Sequence, residues 1–199
     1  EMTRSIKDAP DQPEDIEIKF ENGYPVSINN EELNRVDLIK KANLLAGTHG
    51  FGRLDMIEDR VVGIKSREIY ETPGLLLLIK AHKELESLTL SPDVLDFKDF
   101  VDKKWGKLVY EGFWFGPLKS ALDCFIESTQ LSVNGIVKIR LHKGNAYVIG
   151  RSSIENSLYR EDLATYSKDD TFKHESAKGF IYMWGMANKI WAESKTKKS

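Results

Sequence analysis

Apolar and polar residues alternate early in the chain, where Ile16, Ile18 and Phe20 are separated by Glu17 and Lys19. A period of two marks a strand with one buried face. Asn22-Gly23 follows, then Val26 and Ile28, so the pattern predicts a β-hairpin with a tight turn at the Asn-Gly pair. From Asn30 the period becomes helical. Leu33, Val36, Ile39 and Leu44 fall on one side, Asn30 stands as the N-cap, Glu31 and Glu32 suit the positive end of the helix dipole, and Gly47 can end the run. Arg53 to Arg60 and Val61 to Lys65 then read as a pair of short strands. Thr72 ahead of Pro73 opens a second helix, with Leu75, Leu78, Ile79, His82 and Leu85 as its expected buried stripe. Ser91-Pro92 opens a third, carrying Val94, Leu95, Val101, Trp105 and Leu108, and Pro117 a fourth that runs to Gln130.

A second hairpin follows, in which Val137, Ile139 and Leu141 alternate with Lys138, Arg140 and His142, Gly144-Asn145 turns the chain, and Tyr147, Val148 and Ile149 return it. Residues 160 to 176 lack periodicity and read as loop, before a last amphipathic segment from Gly179 through Trp191. Its large aromatics, Tyr182, Trp184 and Trp191, either anchor an interface or pack on the chain's own core, and spacing does not choose between these. The whole predicts an α+β class: a mixed sheet built from hairpins, clustered helices and a C-terminal aromatic helical arm. Residues 1–14, with Pro10 and Pro13, read as an extended linker packed on something upstream, 15–176 as one domain and 177–199 as an oligomerisation arm. An opening at Glu1 in a proline-bearing polar stretch looks like an internal point of a longer polypeptide.

Composition narrows the function. The 199 residues are 41% hydrophobic and 30% charged, as in ordinary globular proteins, and the formal net charge of -2 lacks the basic excess that nucleic acid demands. The one concentrated basic run, Lys195, Lys197 and Lys198, falls in a fraying tail. The longest apolar run, Leu75 to Ile79, is far short of the ~20 residues that span a bilayer, and the expectation is a cytoplasmic protein without a membrane partner. The single cysteine, Cys124, allows no internal disulfide. Placed among Leu118, Ala121, Leu122, Phe125 and Ile126, it is expected to be a buried, inert thiol.

Spacing alone reveals no catalytic constellation. His49, His82, His142 and His174 are scattered, which argues against a zinc site. Gly47-Thr48-His49-Gly50-Phe51-Gly52 is glycine-rich but follows a helix, the reverse of a phosphate-cradling loop, so close backbone packing is the better reading. Between Arg53 and Thr72 the picture changes. Arg53, Asp55, Glu58, Asp59, Arg60, Lys65, Arg67 and Glu71 crowd a stretch that also holds Val61, Val62, Ile64 and Ile69. A solvated strand edge accounts for such charges; so does a wall that binds a zwitterion, with a carboxylate for its ammonium group and a phenol for its polar tip.

The stretch from Gly52-Arg53-Leu54-Asp55-Met56-Ile57-Glu58 through Val62-Gly63-Ile64-Lys65-Ser66-Arg67 to Ile69-Tyr70-Glu71-Thr72-Pro73-Gly74 resembles the most characteristic segment of the argininosuccinate synthase family. Other blocks agree in order and spacing: Glu17-Ile18-Lys19-Phe20, Gly47-Thr48-His49-Gly50, Glu86-Ser87-Leu88-Thr89-Leu90, Leu108-Val109-Tyr110-Glu111-Gly112, Gly144-Asn145-Ala146, Ser157-Leu158-Tyr159 and Gly179-Phe180-Ile181. The resemblance covers nearly the whole chain and is to the family's carboxy-terminal synthetase and multimerisation part.

The resemblance implies a ligase that joins citrulline to aspartate. The ureido oxygen of citrulline attacks the α-phosphorus of ATP to give citrullyl-adenylate and pyrophosphate, and the aspartate amine then displaces AMP. It implies two citrulline-contacting residues here, Glu58 and Tyr70, which orient the substrate without acid–base work. ATP with magnesium, and aspartate, are implied for a nucleotide-binding amino-terminal domain absent from this chain, which itself carries no catalytic, cofactor or metal residue. The implied assembly is a homo-oligomer, a tetramer. Two positions depart from the family pattern: Asp59 stands where asparagine is common, and Glu68, near Tyr70, where glycine is common. The alternative is a non-catalytic homo-oligomerisation module whose charged segment is only a solvated edge.

Overall fold

The computed structural model describes residues 2–163 and 171–196. They fall into two compact units, Glu1–Tyr159 and Arg160–Ser199. The class is α+β.

The first unit opens with the expected hairpin. Strand β1 (Glu14–Glu21) buries Ile16, Ile18 and Phe20 on one face and pairs with β2 (Tyr24–Ile28). Asn22 and Gly23 both take positive φ, 47° and 75°, as the mirror-image turn that matches strand twist requires. A second left-handed pair, Asn29 and Asn30, turns the chain into β3 (Glu31–Glu32), which pairs with Ser27 and Ile28. Asn30 is therefore a turn residue and not the helix cap. That role belongs to Asn34, whose Oδ1 accepts from the N–H groups of Val36 (3.1 Å) and Asp37 (3.0 Å) at the start of α1 (Arg35–Thr48). Asparagine suits both jobs, so composition could not tell the two sites apart.

Past a ribbon formed by residues 53–71 come α2 (Pro73–Thr89), α3 (Pro92–Tyr110) and α4 (Pro117–Gln130), each with proline in its first turn. Strands β6 (Gly135–His142) and β7 (Asn145–Ser152) form the second hairpin, turned by Lys143 and Gly144 at positive φ. Pairing of β1 with β6 joins the hairpins into a five-stranded sheet, β3-β2-β1-β6-β7. Every pair in it is antiparallel, a narrower arrangement than the mixed sheet expected. Leu38, Ala42 and Ala46 of α1 and Leu77, Ala81 and Leu85 of α2 share one buried core with the sheet residues Ile16, Ile18, Val137 and Ile139. Apolar area removed from water there is the main stabilising contribution.

Two stripes turn out differently from expectation. The five apolar residues 75–79 offer overlapping helical stripes; Leu77, Leu78, Ala81, Leu85 and Leu88 go inside, while Leu75 and Ile79 are about half exposed (49% and 52%). With Tyr24, Ile39 and Phe20 they line an apolar groove of about 300 Å³. Cys124 is exposed, not buried. Its helix α4 buries only Gln130, because α3 covers just one flank through Phe97–Phe125 (ring centroids 5.3 Å apart) and Trp105 Nε1 donating to Asp123 Oδ1 (2.7 Å).

At the root of the α3–α4 pair lies a polar cluster. Lys98 and Glu86, with side chains 7% and 6% exposed, form an ion pair at 3.0 Å. Lys98 Nζ also donates to Asp102 (2.7 Å), and Gln130 Nε2 donates to Glu86 Oε1 (2.8 Å).

In the second unit the 3-10 turn Glu161–Leu163 precedes α5 (His174–Thr196) among the described residues. Phe180 and Trp184 stack at 5.4 Å, Lys195 lies over Trp191, and no helix residue is buried. The loop expected over 160–176 includes residues 164–170, which lie outside the described residues, as do Glu1, Lys197 and Lys198. Among the described residues no helix is long and apolar enough to cross a membrane.

Candidate functional site

Residues 53–71 form a two-stranded sheet of their own, β4 (Arg53–Asp59) against β5 (Lys65–Glu71). Val61–Ile64 is the connecting turn and not a strand. Gly63 sits at φ 86° with its N–H on the Arg60 carbonyl, and Arg60 N–H closes on the Ile64 carbonyl, both at 2.8 Å. The strand begins only at Lys65, where pairing with Asp59 starts.

Pairing runs in register from Arg53↔Glu71 to Asp59↔Lys65, and the pleat sorts side chains onto two faces. One face is a ladder of opposite charges: Arg53 with Glu71 at 3.0 Å, Arg67 reaching both carboxylate oxygens of Asp55 (2.8 and 2.5 Å), and Lys65 with Asp59 at 2.5 Å. Arg67 holds the Asp55 carboxyl below its ordinary value by that hydrogen bonding. The other face carries Leu54, Met56, Glu58, Ser66, Glu68 and Tyr70. Glu58 and Tyr70, twelve positions apart in sequence, thus come onto one surface: Glu58 opposite Ser66, Tyr70 opposite Leu54.

Hydrogen bonding to the Glu58 carboxylate is the first cause that raises the Tyr70 phenol above its ordinary value; burial and the charges of Glu58 and Glu68 add to it, and Arg60 opposes. Glu68 is itself paired with Arg60 at 3.4 Å. Glu71, next to Tyr70 in sequence, lies on the ladder face and not on this surface. Tyr70 is 39% exposed, so the surface is an open wall, able to close one side of a small-ligand pocket.

The base of the ribbon is tied down. Glu71 accepts from the Met2 N–H (2.7 Å), the buried Thr3 hydroxyl and Arg53, and these bonds, Thr3's first, lower its carboxyl to about 2. Arg53 Nη2 also donates to Thr3 Oγ1 (2.9 Å), and Arg4 N–H donates to the Gly47 carbonyl (2.9 Å). Gly52 sits at φ 113°, where an added Cβ would lie 2.2 Å from the Pro73 Cα. A Cβ on Gly47 would lie 2.2 Å from the Met2 carbonyl oxygen. The glycines at 47 and 52 therefore serve close packing.

Sequence reasoning missed one member of the wall. The Ser66 hydroxyl is shielded from water yet has no hydrogen-bond partner. Counting in steps of two from Tyr70 back along its strand would have placed Ser66 on the same face.

The family model of the arginosuccinate synthase C-terminal domain matches residues 1–191. The chain belongs to this family. Argininosuccinate synthase of Prochlorococcus marinus subsp. pastoris (strain CCMP1986 / NIES-2087 / MED4) is 75% identical over 199 residues, covering 100% of this chain and 49% of that protein. The argininosuccinate synthase of P. marinus strain MIT 9312 is 76% identical over 197 residues (99% and 49%), and that of strain NATL2A 65% over 191 residues (96% and 48%). The chain spans about half the length of the curated relatives it matches. The match to the argininosuccinate synthase C-terminal domain includes the whole β4–β5 ribbon.

Proposed function

We propose that this chain is the citrulline side of an argininosuccinate synthase, the ATP-dependent ligase that joins citrulline to aspartate. The observation that carries the reading is the placement of Glu58 and Tyr70 on one open face of a single ribbon. A carboxylate accepts from the ammonium or ureido N–H groups of a zwitterion, and a phenol both donates and accepts. Held on one wall, the two fix the substrate's orientation, which is where an activating ligase gains from proximity. ATP with magnesium, and aspartate, belong in this reading to an amino-terminal domain, with the open face turned toward it. The compartment in this reading is the cytoplasm.

The test is steady-state kinetics of the complete synthetase carrying Glu58→Gln or Tyr70→Phe. Each variant raises KM for citrulline while KM for ATP stays at the wild-type value. Unchanged citrulline kinetics in both variants refutes the assignment.

A second role accompanies the first, because α5 presents Phe180, Trp184 and Trp191 unburied in its own unit. We read this helix as the arm of a homo-oligomer, a tetramer in the reading that the family suggests. Removal of residues 178–199 then lowers the mass found by size-exclusion chromatography; an unchanged mass refutes that role.

A further inference from the structure

Buried polar groups nearly always have a hydrogen-bond partner, and an exception calls for an explanation. Ser66 is such an exception: its Oγ is shielded from solvent and unpaired, on a residue that is only half-buried. It stands directly across from Glu58, on the same face as Tyr70. Side chains so opposed in an antiparallel pair have Cβ atoms about 4.5–5.5 Å apart, so one small molecule on Glu58 is within reach of Ser66.

The donor inventory of the face sharpens the point. Its polar side chains are Glu58, Ser66, Glu68 and Tyr70. Glu58 and Glu68 are carboxylates and offer acceptors. Tyr70 offers one O–H, and the Glu58 carboxylate is the first cause that raises it above its ordinary value. Beside Tyr70, and Arg60 that pairs with Glu68, the Ser66 hydroxyl is a donor without a partner, complementary to a ligand oxygen where the carboxylates are complementary to ligand N–H groups. A serine hydroxyl has three staggered positions about Cα–Cβ, so ligand binding can reorient it.

We propose that Ser66 is a third ligand contact of this wall, donating its hydroxyl to an oxygen of the zwitterion, the ureido or the carboxylate oxygen. The inference rests on the citrulline reading above and adds a residue to it.

The experiment compares Ser66→Ala with Glu58→Gln and Tyr70→Phe in the complete synthetase, measuring KM for citrulline, KM for ATP and Tm. A merely structural serine gives a different result from a ligand contact. Removing an unpaired buried hydroxyl leaves the ligand-free protein as stable as before or more so, whereas losing a neutral hydrogen bond to the ligand weakens binding by about 3- to 10-fold. The expected outcome is a citrulline KM raised by that factor, with the ATP KM and Tm not worsened. If the Glu58 and Tyr70 variants raise the citrulline KM and Ser66→Ala does not, the Ser66 contact is overturned and the wall stands. A fall in Tm with both KM values changed assigns Ser66 a structural role and also overturns it. If none of the three variants moves the citrulline KM, the citrulline reading itself fails, and the Ser66 contact with it.

Discussion

Exchange of Lys98 for methionine is the sharpest probe of how the α3–α4 pair is held. Lys98 and Glu86 are both almost fully enclosed, at 3.0 Å. Burial pulls the Lys98 ammonium down, but its hydrogen bond to Asp102 and the charge of Glu86 outweigh this and leave it above its ordinary value. Its stabilisation is therefore present at neutral pH and up to its ordinary 10.5, and is lost as pH rises through the folded value. Lys98→Met removes the cation and keeps most of the stem volume. Asp102, with a side chain 36% exposed, then turns to water at little cost. Glu86 cannot, and keeps only Gln130 and the more distant His82 (3.8 Å). Breaking one partner of a buried pair costs about 3–5 kcal/mol. At about 2–4 °C per kcal/mol in a protein of this size, Tm falls by about 6–20 °C. Glu86→Leu together with Lys98→Met removes both charges and is far less destabilising than the single changes summed. Urea unfolding followed by tryptophan fluorescence, which includes Trp105 on α3, measures the cycle. A single variant within about 1 kcal/mol of wild type, or strict additivity in the double, refutes the argument that the pair is desolvated.

Three further outcomes follow from the ribbon and the helices. Glu71 is depressed from its ordinary 4.5 to about 2, so its contribution is complete above 4.5 and is lost as pH falls toward 2; Glu71→Gln flattens the stability profile in that acid window, read by circular dichroism. The Tyr70 phenol ionises above its ordinary 10.0, and Glu58→Gln brings it part of the way back down in a spectrophotometric titration, since a neutral amide replaces the anionic acceptor. Gly52→Ala meets Pro73 at 2.2 Å in a left-handed backbone and loses at least about 3 kcal/mol, whereas Gly179→Ala, with nothing within 4 Å, stabilises its helix by about 0.5–1 kcal/mol; thermal melts decide both.

Much of this architecture was legible in the sequence because its signals are local. The Asn22-Gly23 turn, the alternation through Ile16 and Val137, and prolines at 73, 92 and 117 each report a backbone geometry that few other residues supply. The losses came where a choice depends on tertiary partners. Asn30 and Asn34 have the same chemistry, and only the pairing of Glu31 and Glu32 with Ser27 and Ile28 gives the first to a turn. Five consecutive apolar residues at 75–79 suit either of two stripes until the sheet takes Leu77. Cys124 follows an apolar pattern whose outer side no other element of its unit covers. At the candidate site, Glu58 and Tyr70 are legible through family resemblance, while Ser66 has no signal in composition and joins them only through the register of two strands.

Because Glu58 and Tyr70 sit on two legs of one short ribbon, their separation is set by ladder hydrogen bonds within that ribbon, and not by how distant parts of the chain fold together. Substitutions that tilt the ribbon carry both groups along without parting them. An insertion or deletion of one residue in the Arg60–Ile64 connection, by contrast, shifts one leg against the other and sends alternate side chains to the reverse surface. Loop length at this bend, more than the chemistry of its residues, is what the site cannot vary.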